Sequence, residues 1–397
     1  MSSSGIRDKV AVVGMGCTRF GERFGASAED LIIEAIDECF TVNPRLDRTD
    51  VGAYWLGTLA TGQSGLTVSK ALALDYTPVT RVENYCASGS ESFRNACFAV
   101  ASGAYDMVVA IGVEKLKDSG YSGLLRGDPP SDGTASELSF TAPAAFSLLD
   151  PAYCARYGVD AAAMRDAMTH VAWKNHRNGA RNPKAQFRSE VAKEKIAKAP
   201  IVAGRLGVFD CSGVSDGAAC AVIVPAERAA DYTDQPMYVK GIALAAGPGR
   251  GAVDPGYDFT TFPEVVRSAR DAYAQAGIEN PREAVSFAEV HDCFTPTELV
   301  LMEDLGFAGR GEAWRASLDG EFDADGRLPV NVDGGLKSFG HPVGASGLRM
   351  LYECWLQFRG EAAGRQLADP RMALTHNLGG RPGACVSLVT VVGNELG

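Results

Sequence analysis

The stretch Val82-Glu83-Asn84-Tyr85-Cys86-Ala87-Ser88-Gly89-Ser90 decides how the rest of the chain is read. An extended, β-prone run ends here. Phe93, Ala96, Cys97, Val100 and Ala101 then recur at helical spacing, and Gly103 supplies a stop. A thiol at the first turn of a helix faces the positive end of the macrodipole and a row of unpaired N–H groups, and both favour the nucleophilic thiolate. Gly89 and the small residues Ala87, Ser88 and Ser90 leave room for a substrate to approach. A cysteine at a strand–helix junction is also an ordinary core residue, and the chain has ten. Partners are needed to single Cys86 out.

Outward from this point the chain alternates strands and helices. Val10–Val13 reads as a buried strand, and Ser27–Phe40 as a helix with Leu31, Ile32, Ala35, Ile36 and Cys39 on one face. Tyr54–Leu59 is extended, Ser69–Asp75 is a short helix, and Met107–Gly112 is a fully buried strand. Alternation of this kind predicts a layered α/β domain with a mixed sheet. Gly120–Ser139, rich in Gly, Pro, Ser and Asp, reads as a loop over catalytic machinery. Pro151–Asn178 is helical, and the strand pattern returns at Ala218–Val224. A second half then follows the plan of the first. Strands are expected at Tyr238–Ala246, Val285–Val290, Met372–Asn377 and Cys385–Val392, and helices at Pro263–Ala276, Pro296–Leu305 and Leu348–Phe358. The identity between the halves is too low to establish a repeat.

Composition narrows the class. The 397 residues suffice for two or three structural units, and 46% hydrophobic with 22% charged content is that of a globular protein. A net charge of −11 argues against a nucleic-acid partner. No apolar run reaches the roughly 18–20 residues needed to span a bilayer, and neither end carries a signal or organelle address. The cysteines form no CxxC pair, so neither zinc nor a disulfide framework is expected, and a cytoplasmic location fits. Between His170 and Arg205 stand nine basic residues and two acidic ones, a net +7. A basic island on an acidic chain suits an anionic ligand, such as the phosphates of a nucleotide-like handle. Lys174, Arg177, Arg181, Lys184 and Arg188 are the candidate contacts.

Two of the five histidines have unusual settings. His341 lies in Lys337-Ser338-Phe339-Gly340-His341-Pro342-Val343-Gly344-Ala345-Ser346-Gly347, where glycines allow close backbone approach and Pro342 fixes the path. It is a candidate base for Cys86. His291 ends a buried strand and precedes Asp292, Cys293 and Phe294, so that a donor and a second thiol leave one strand end. One cysteine and two histidines at strand termini supply the nucleophile, base and oxyanion donor of acyl transfer. His170, His176 and His376 read as structural.

Four motifs, agreeing in type and order, resemble the thiolase family over essentially the whole chain. They are Asn84-Tyr85-Cys86-Ala87-Ser88-Gly89, Cys211-Ser212-Gly213-Val214-Ser215-Asp216-Gly217-Ala218-Ala219, His291-Asp292-Cys293-Phe294, and Asn331-Val332-Asp333-Gly334-Gly335 leading to Gly340–Gly347. The third is the form found in sterol-carrier-protein-type and archaeal-type thiolases. The resemblance implies an α/β thiolase fold, a five-layer αβαβα sandwich of two pseudo-symmetric βαβαβαββ halves. Residues 1–117 with 209–235 would form the first half, 118–208 an inserted loop domain that contacts coenzyme A, and 236–397 the second half.

Carried over by position, the resemblance makes Cys86 the acyl acceptor, His341 its base and His291 a side-chain donor to the enolate oxyanion. The backbone N–H groups of Cys86 and Gly380 would hold the oxyanion at the acylated cysteine. Most thiolases carry a second catalytic cysteine near the C-terminus, where this chain has Asn377. An amide cannot shuttle a proton, so that role falls to Cys293, with Cys385 as the fallback. The implied reaction is reversible Claisen chemistry on 3-ketoacyl-CoA, with bulky or sterol-derived acyl chains among the substrates. Coenzyme A is a co-substrate, no cofactor is bound permanently, and the assembly is a homodimer or tetramer. The alternatives are a thiolase-like aldolase working with a small zinc-ribbon/OB-fold partner, a ketoacyl synthase, and a non-catalytic lipid-binding scaffold. An intact Cys86 weighs against the aldolase and the scaffold.

Overall fold

A computed structural model describes residues 5–118, 141–250 and 254–397; the stretch 120–139, read as a loop, lies outside them. The first half runs β1 (Val10–Cys17), α1 (Ala28–Val42), β2 (Ala53–Gly57), α2 (Leu66–Leu72), β3 (Val79–Val82), α3 (Ser88–Ala101) and β4 (Val108–Glu114). Between β4 and the strand that closes this half lie α4 (Ala142–Phe146), α5 (Leu149–Tyr157), α6 (Ala161–Gly179), α7 (Lys193–Ala197) and a hairpin of β5 (Ile201–Ala203) with β6 (Leu206–Gly207). The closing strand is β7 (Gly217–Pro225), and α8 (Ala229–Tyr232) leads onward. The second half begins with β8 (Met237–Ala246), α9 (Pro263–Ala276), α10 (Pro281–Ala284), β9 (Phe287–Glu289) and α11 (Thr295–Asp304). It ends with α12 (Ala313–Leu318), α13 (Gly335–Ser338), α14 (Ser346–Arg359), β10 (Met372–Arg381) and β11 (Ala384–Gly393).

The strands neighbour one another in the order β3-β2-β4-β7-β1-β8-β11-β10-β9. β3, β2 and β4 run parallel, with β7 and β1 antiparallel beyond them. In the second half β9 and β10 run parallel, with β11 and β8 antiparallel. A parallel bridge from Ala288 to Val330 stands where a counterpart of β3 belongs. With β8 read as β1, β9 as β2, β10 as β4 and β11 as β7, each half reproduces the other. The repeat is therefore explicit in the topology although sequence identity does not establish it. The halves join along a short seam, Ala11 with Tyr238 and Val12 with Met237.

Apolar periodicity sets the layers. α1 lays Leu31, Ile32, Ala35, Ile36 and Cys39 on the outer face of the first sheet, against Ala11, Val109 and Val222. α9 covers the outer face of the second with Val265, Ala269 and Ala272. Between the sheets α3 and α14 share one core, in which Phe93, Cys97, Leu348 and Leu351 meet Val12, Ala110, Val239 and Leu388. Five layers, αβαβα, result. Each fully buried side chain of this size contributes about 1.5–3 kcal/mol.

Several boundaries move, each for a local reason. Pro151–Asn178 is two helices: Gly158, at φ +67°, ends α5, and Asp160 starts α6 by accepting from the Ala162 and Ala163 N–H groups. The short helix expected at Ser69–Asp75 runs Leu66–Leu72 and stops where Ala73 turns left-handed. The strand expected at Met107–Gly112 lies inside the sheet, pairing on both sides with β2 and β7, so among the described residues the outer strand of that half is β3. Among the described residues no helix is long and apolar enough to cross a membrane.

Candidate active site

Past β3 the backbone makes a tight turn that presents Cys86 at the head of α3. Tyr85 sits at φ +50°. The Ser88 hydroxyl accepts from the Asn84 N–H at 2.9 Å and donates to the Tyr85 carbonyl at 2.6 Å. The N–H groups of Cys86 itself and of Gly380, the latter on β10 at φ +101°, act on the Cys86 thiol in the direction of the anion. Those donors favour thiolate, but burial opposes it more strongly. With the Glu114 charge adding to the effect, the thiol is pushed up to about 12. This reverses the expectation from the helix terminus: at rest the group is a thiol and needs a base.

The glycine of this turn also has a different job. A Cβ on Gly89 would stand 2.4 Å from the Gly344 carbonyl, and one on Gly112 2.2 Å from the same atom. The small residues heading α3 admit the histidine loop of the other half, not substrate.

That loop carries His341 to the pocket. The His341 N–H bonds Ser215 Oγ at 3.0 Å, and its Nδ1 lies 2.7 Å from Ser346 Oγ. The Ser346 hydroxyl donates to the Pro342 carbonyl at 3.0 Å, so the proton on the ring is assigned to Nδ1. The buried Nε2 is left without a partner and free to accept. Burial, helped by Arg349, lowers His341 to about 3. His291 is held well below its usual range by burial, with His341, His376 and Arg349 adding. The two rings stand 5.3 Å apart at 81°.

The donor atoms of Cys86, His291 and His341 lie within 4.8 Å of one another, the one such cluster of metal-ligand type among the described residues. Cys293 joins them in a pocket of about 140 Å³, whose apolar wall includes Phe146, Phe294 and Val343. Burial and the neighbouring Cys86 push the Cys293 thiol well up. Cys385, the fallback, does not line this pocket and lies beside Glu264. Asn377 is buried, with its Oδ1 accepting from Ser90 Oγ at 2.6 Å.

Carboxylates brace these loops. Glu114, which ends β4, accepts from the N–H groups of Leu59 (2.8 Å), Ala60 (3.0 Å), Thr61 (2.9 Å) and, across the halves, Gly344 (3.0 Å). Asp292 accepts from the Leu336 N–H at 2.6 Å and from Asn175 Nδ2 at 2.7 Å. Backbone bridges from Val214 to His341 and from Cys211 to Phe294 thread the 211–219 segment between both histidine loops. Sequence reasoning named none of the bracing roles. The available signal for Glu114 was an acid closing an otherwise apolar strand.

The basic island divides. Lys174 is buried, bonds the Val330 carbonyl at 2.7 Å and pairs with Glu298 at 3.0 Å. Lys184 pairs with Glu38 at 2.6 Å and stacks over Tyr352. Neither lines the Cys86 pocket, because internal carboxylates claim both ammonium groups. Arg177 stacks on Trp173, while Arg181 and Arg188 are exposed.

A buried thiol and two buried imidazoles thus share one pocket between the duplicated α/β halves. The chain belongs to the thiolase family: residues 10–227 match "Thiolase, N-terminal domain" and residues 252–392 match "Thiolase C-terminal domain-like". It is similar to the acetyl-CoA acetyltransferase of Methanothermobacter thermautotrophicus, 38% identical over 387 residues, covering 94% of this chain and 97% of that one. It also resembles human sterol carrier protein 2, 29% identical over 94% of this chain and 70% of that one. Among solved structures it is similar to the Ltp2-ChsH2(DUF35) aldolase, at 25% identity and a TM-score of 0.83, over 98% of this chain and 100% of that one. With relatives so named, the protein is an enzyme of the acyltransferase kind.

Proposed function

We propose that the protein exchanges a 3-ketoacyl-CoA and coenzyme A with acetyl- or propionyl-CoA and a shortened acyl-CoA, through an acyl-enzyme on Cys86. The observation that carries this reading is the unpartnered His341 Nε2 in the same pocket as the Cys86 thiol. His341 takes the Cys86 proton, and the thiolate attacks the keto carbon. The N–H groups of Cys86 and Gly380 face the developing oxyanion. Cleavage of the C–C bond leaves its electron pair as an enolate, whose oxygen takes a hydrogen bond from His291. Cys293 returns a proton to the α-carbon. Coenzyme A then gives its thiol proton to the Cys293 thiolate and attacks the thioester, and the released Cys86 thiolate takes its proton back from His341.

Coenzyme A acts here as co-substrate, with Arg177, Arg181 and Arg188 left to meet its phosphates. The structural units are residues 1–117 with 209–235, 118–208 and 236–397, the location is cytoplasmic, and the chain assembles as a homodimer or tetramer. Likeness to sterol carrier protein 2 supports bulky or sterol-derived acyl chains.

The likeness to the Ltp2-ChsH2(DUF35) aldolase favours a second reading, retro-aldol cleavage of a 3-hydroxyacyl-CoA with a small partner protein. A panel of CoA thioesters run in both directions separates the two. The thiolase reading expects coenzyme A-dependent cleavage of 3-ketoacyl-CoA that is lost in Cys86→Ala. Cleavage of 3-hydroxyacyl-CoA without coenzyme A, intact in Cys86→Ala, overturns it.

A further inference from the structure

Behind the pocket the second half buries a knot of charges that no step above uses. Arg349, in the first turn of α14, is 0% exposed. Its Nη1 bonds Glu289 Oε2 at 2.9 Å and also Asp333 Oδ2. Its Nε and Nη2 are buried without partners. The guanidinium thus turns one corner to two carboxylates, forgoing the side-on pairing that makes arginine–carboxylate contacts strong. Burying such a group costs several kcal/mol before its contacts are counted, so stability alone is a poor reason for it.

Its position in the chain supplies a better one. Glu289 ends β9, two residues before His291. Asp333 opens the segment that leads to His341, accepting the Gly335 N–H at 2.8 Å. Arg349 itself stands on the helix whose first residue, Ser346, holds His341 Nδ1. One side chain therefore ties together the roots of both histidine loops and the helix that orients one of the rings.

We propose that Arg349 is a positioning residue for the reaction: through Glu289 and Asp333 it sets the spacing of His291 and His341. This rests on the acyl-transfer reading for its consequence, since only a neutral His341 can take the thiol proton. The groups facing the cation are Glu289 on β9, Asp333 and Asp292 on the loops, and Cys354 on α14, with Glu353 beside Cys354 and paired to Arg365. Arg365 lies behind Glu353, Cys17 approaches from β1, and the Phe339 ring lies 5.1 Å from the guanidinium carbon. Arg349 lowers both His291 and His341, secondary to their burial.

The test is histidine-selective ¹⁵N NMR between pH 6 and 8, with only five histidines to assign, run beside steady-state kinetics. The wild type should show His291 and His341 neutral, with His341 in a single Nδ1–H form. In Arg349→Met at least one of these rings should protonate or mix tautomers within that window. There kcat should fall by about 10- to 100-fold, the scale of a misplaced reacting group, with KM for the acyl-CoA within twofold. Arg349→Lys keeps the charge without the planar fork and should keep the rings neutral while restoring part of kcat. A folded Arg349→Met with wild-type histidine signals and kcat overturns the proposal. If that variant does not fold, Glu289→Gln decides, because it keeps the shape and weakens one tie. Altered His291 signals with lowered kcat support the proposal, and unchanged signals overturn it. The NMR needs no substrate, so an enzyme that accepts no thioester of the panel fails the functional reading alone.

Discussion

α3 and α14 occupy matching places in the two halves, yet different physics holds the chain leading into each. Before α3 the turn is fixed by backbone and hydroxyl contacts at Tyr85 and Ser88, and two N–H groups favour the anion at Sγ. Before α14 the loop is fixed by buried charge, with Asp292, Asp333 and Arg349 around it. The difference follows the chemistry. A nucleophile gains charge during the reaction and is served by dipoles that wait for it. A base must begin neutral in one tautomer, and is served by a fixed hydroxyl acceptor and a nearby cation. Duplication supplied one scaffold, and the two loops diverged to opposite electrostatic tasks.

The sharpest way to break this division of labour is at the second thiol. Cys293→Ala should still form the acyl-enzyme, yet lose turnover and α-proton exchange of bound acetyl-CoA by about 10²–10⁴-fold. Near-normal exchange in that variant removes Cys293 from the mechanism and reopens the aldolase reading. Next in size is the contact between the two loops. A Cβ on Gly344 would lie 2.6 Å from the carbonyls of Gly57 and Val113, whereas one on Gly364 meets nothing within 4 Å. Gly344→Ala should lower stability by about 1–3 kcal/mol in urea titration, and Gly364→Ala should not. Equal midpoints would mean that the halves tolerate a gap there.

Acid should act chiefly through the histidines. His176, His341 and His376 are lowered to about 3 and His291 well below its usual range, all first by burial. Unfolded histidine titrates near 6.5. Folding therefore carries no penalty from these groups above about that pH, and an increasing one as pH falls from there toward 3. The urea midpoint should drop between pH 7.5 and 5; a constant midpoint contradicts the buried neutral rings. The Cys86 thiol behaves in the opposite sense: alkylation of the free enzyme by iodoacetamide should keep rising through pH 9. A rate already flat from pH 6 would indicate a preformed thiolate–imidazolium pair. The smallest effect concerns the cofactor handle. Neutralising Arg177, Arg181 and Arg188 together should raise KM for coenzyme A a few-fold, less so in high salt. An unchanged KM at low ionic strength would leave those charges merely solvated.

That Cys86, His291, Cys293 and His341 share one pocket was legible in the sequence because each lies in a short motif with its own turn or strand end. The layered α/β plan was legible through alternation and apolar periodicity, as in α1 and α9, whereas the count of five layers followed from the family resemblance. What did not show was anything that depends on partners distant in the chain. Lys174 counts as one more positive charge until Glu298 is folded against it. Glu114 reads as the polar end of a strand until four N–H groups from two halves converge on it. Arg349 reads as the polar side of an amphipathic helix. Gly89 looked like space for substrate because only the fold shows that Gly344 fills that space. The Cys86 thiol was misjudged for a related reason: helix position is written in sequence, whereas depth of burial is not.

The central claim is that Cys86 alone carries the acyl group. Incubation with acetyl-CoA or a 3-ketoacyl-CoA, followed by intact-protein mass spectrometry and peptide mapping, tests it directly. The account predicts one acyl group per chain, on the Cys86 peptide, absent in Cys86→Ala and present in Cys293→Ala. A stoichiometric adduct that persists in Cys86→Ala would contradict it.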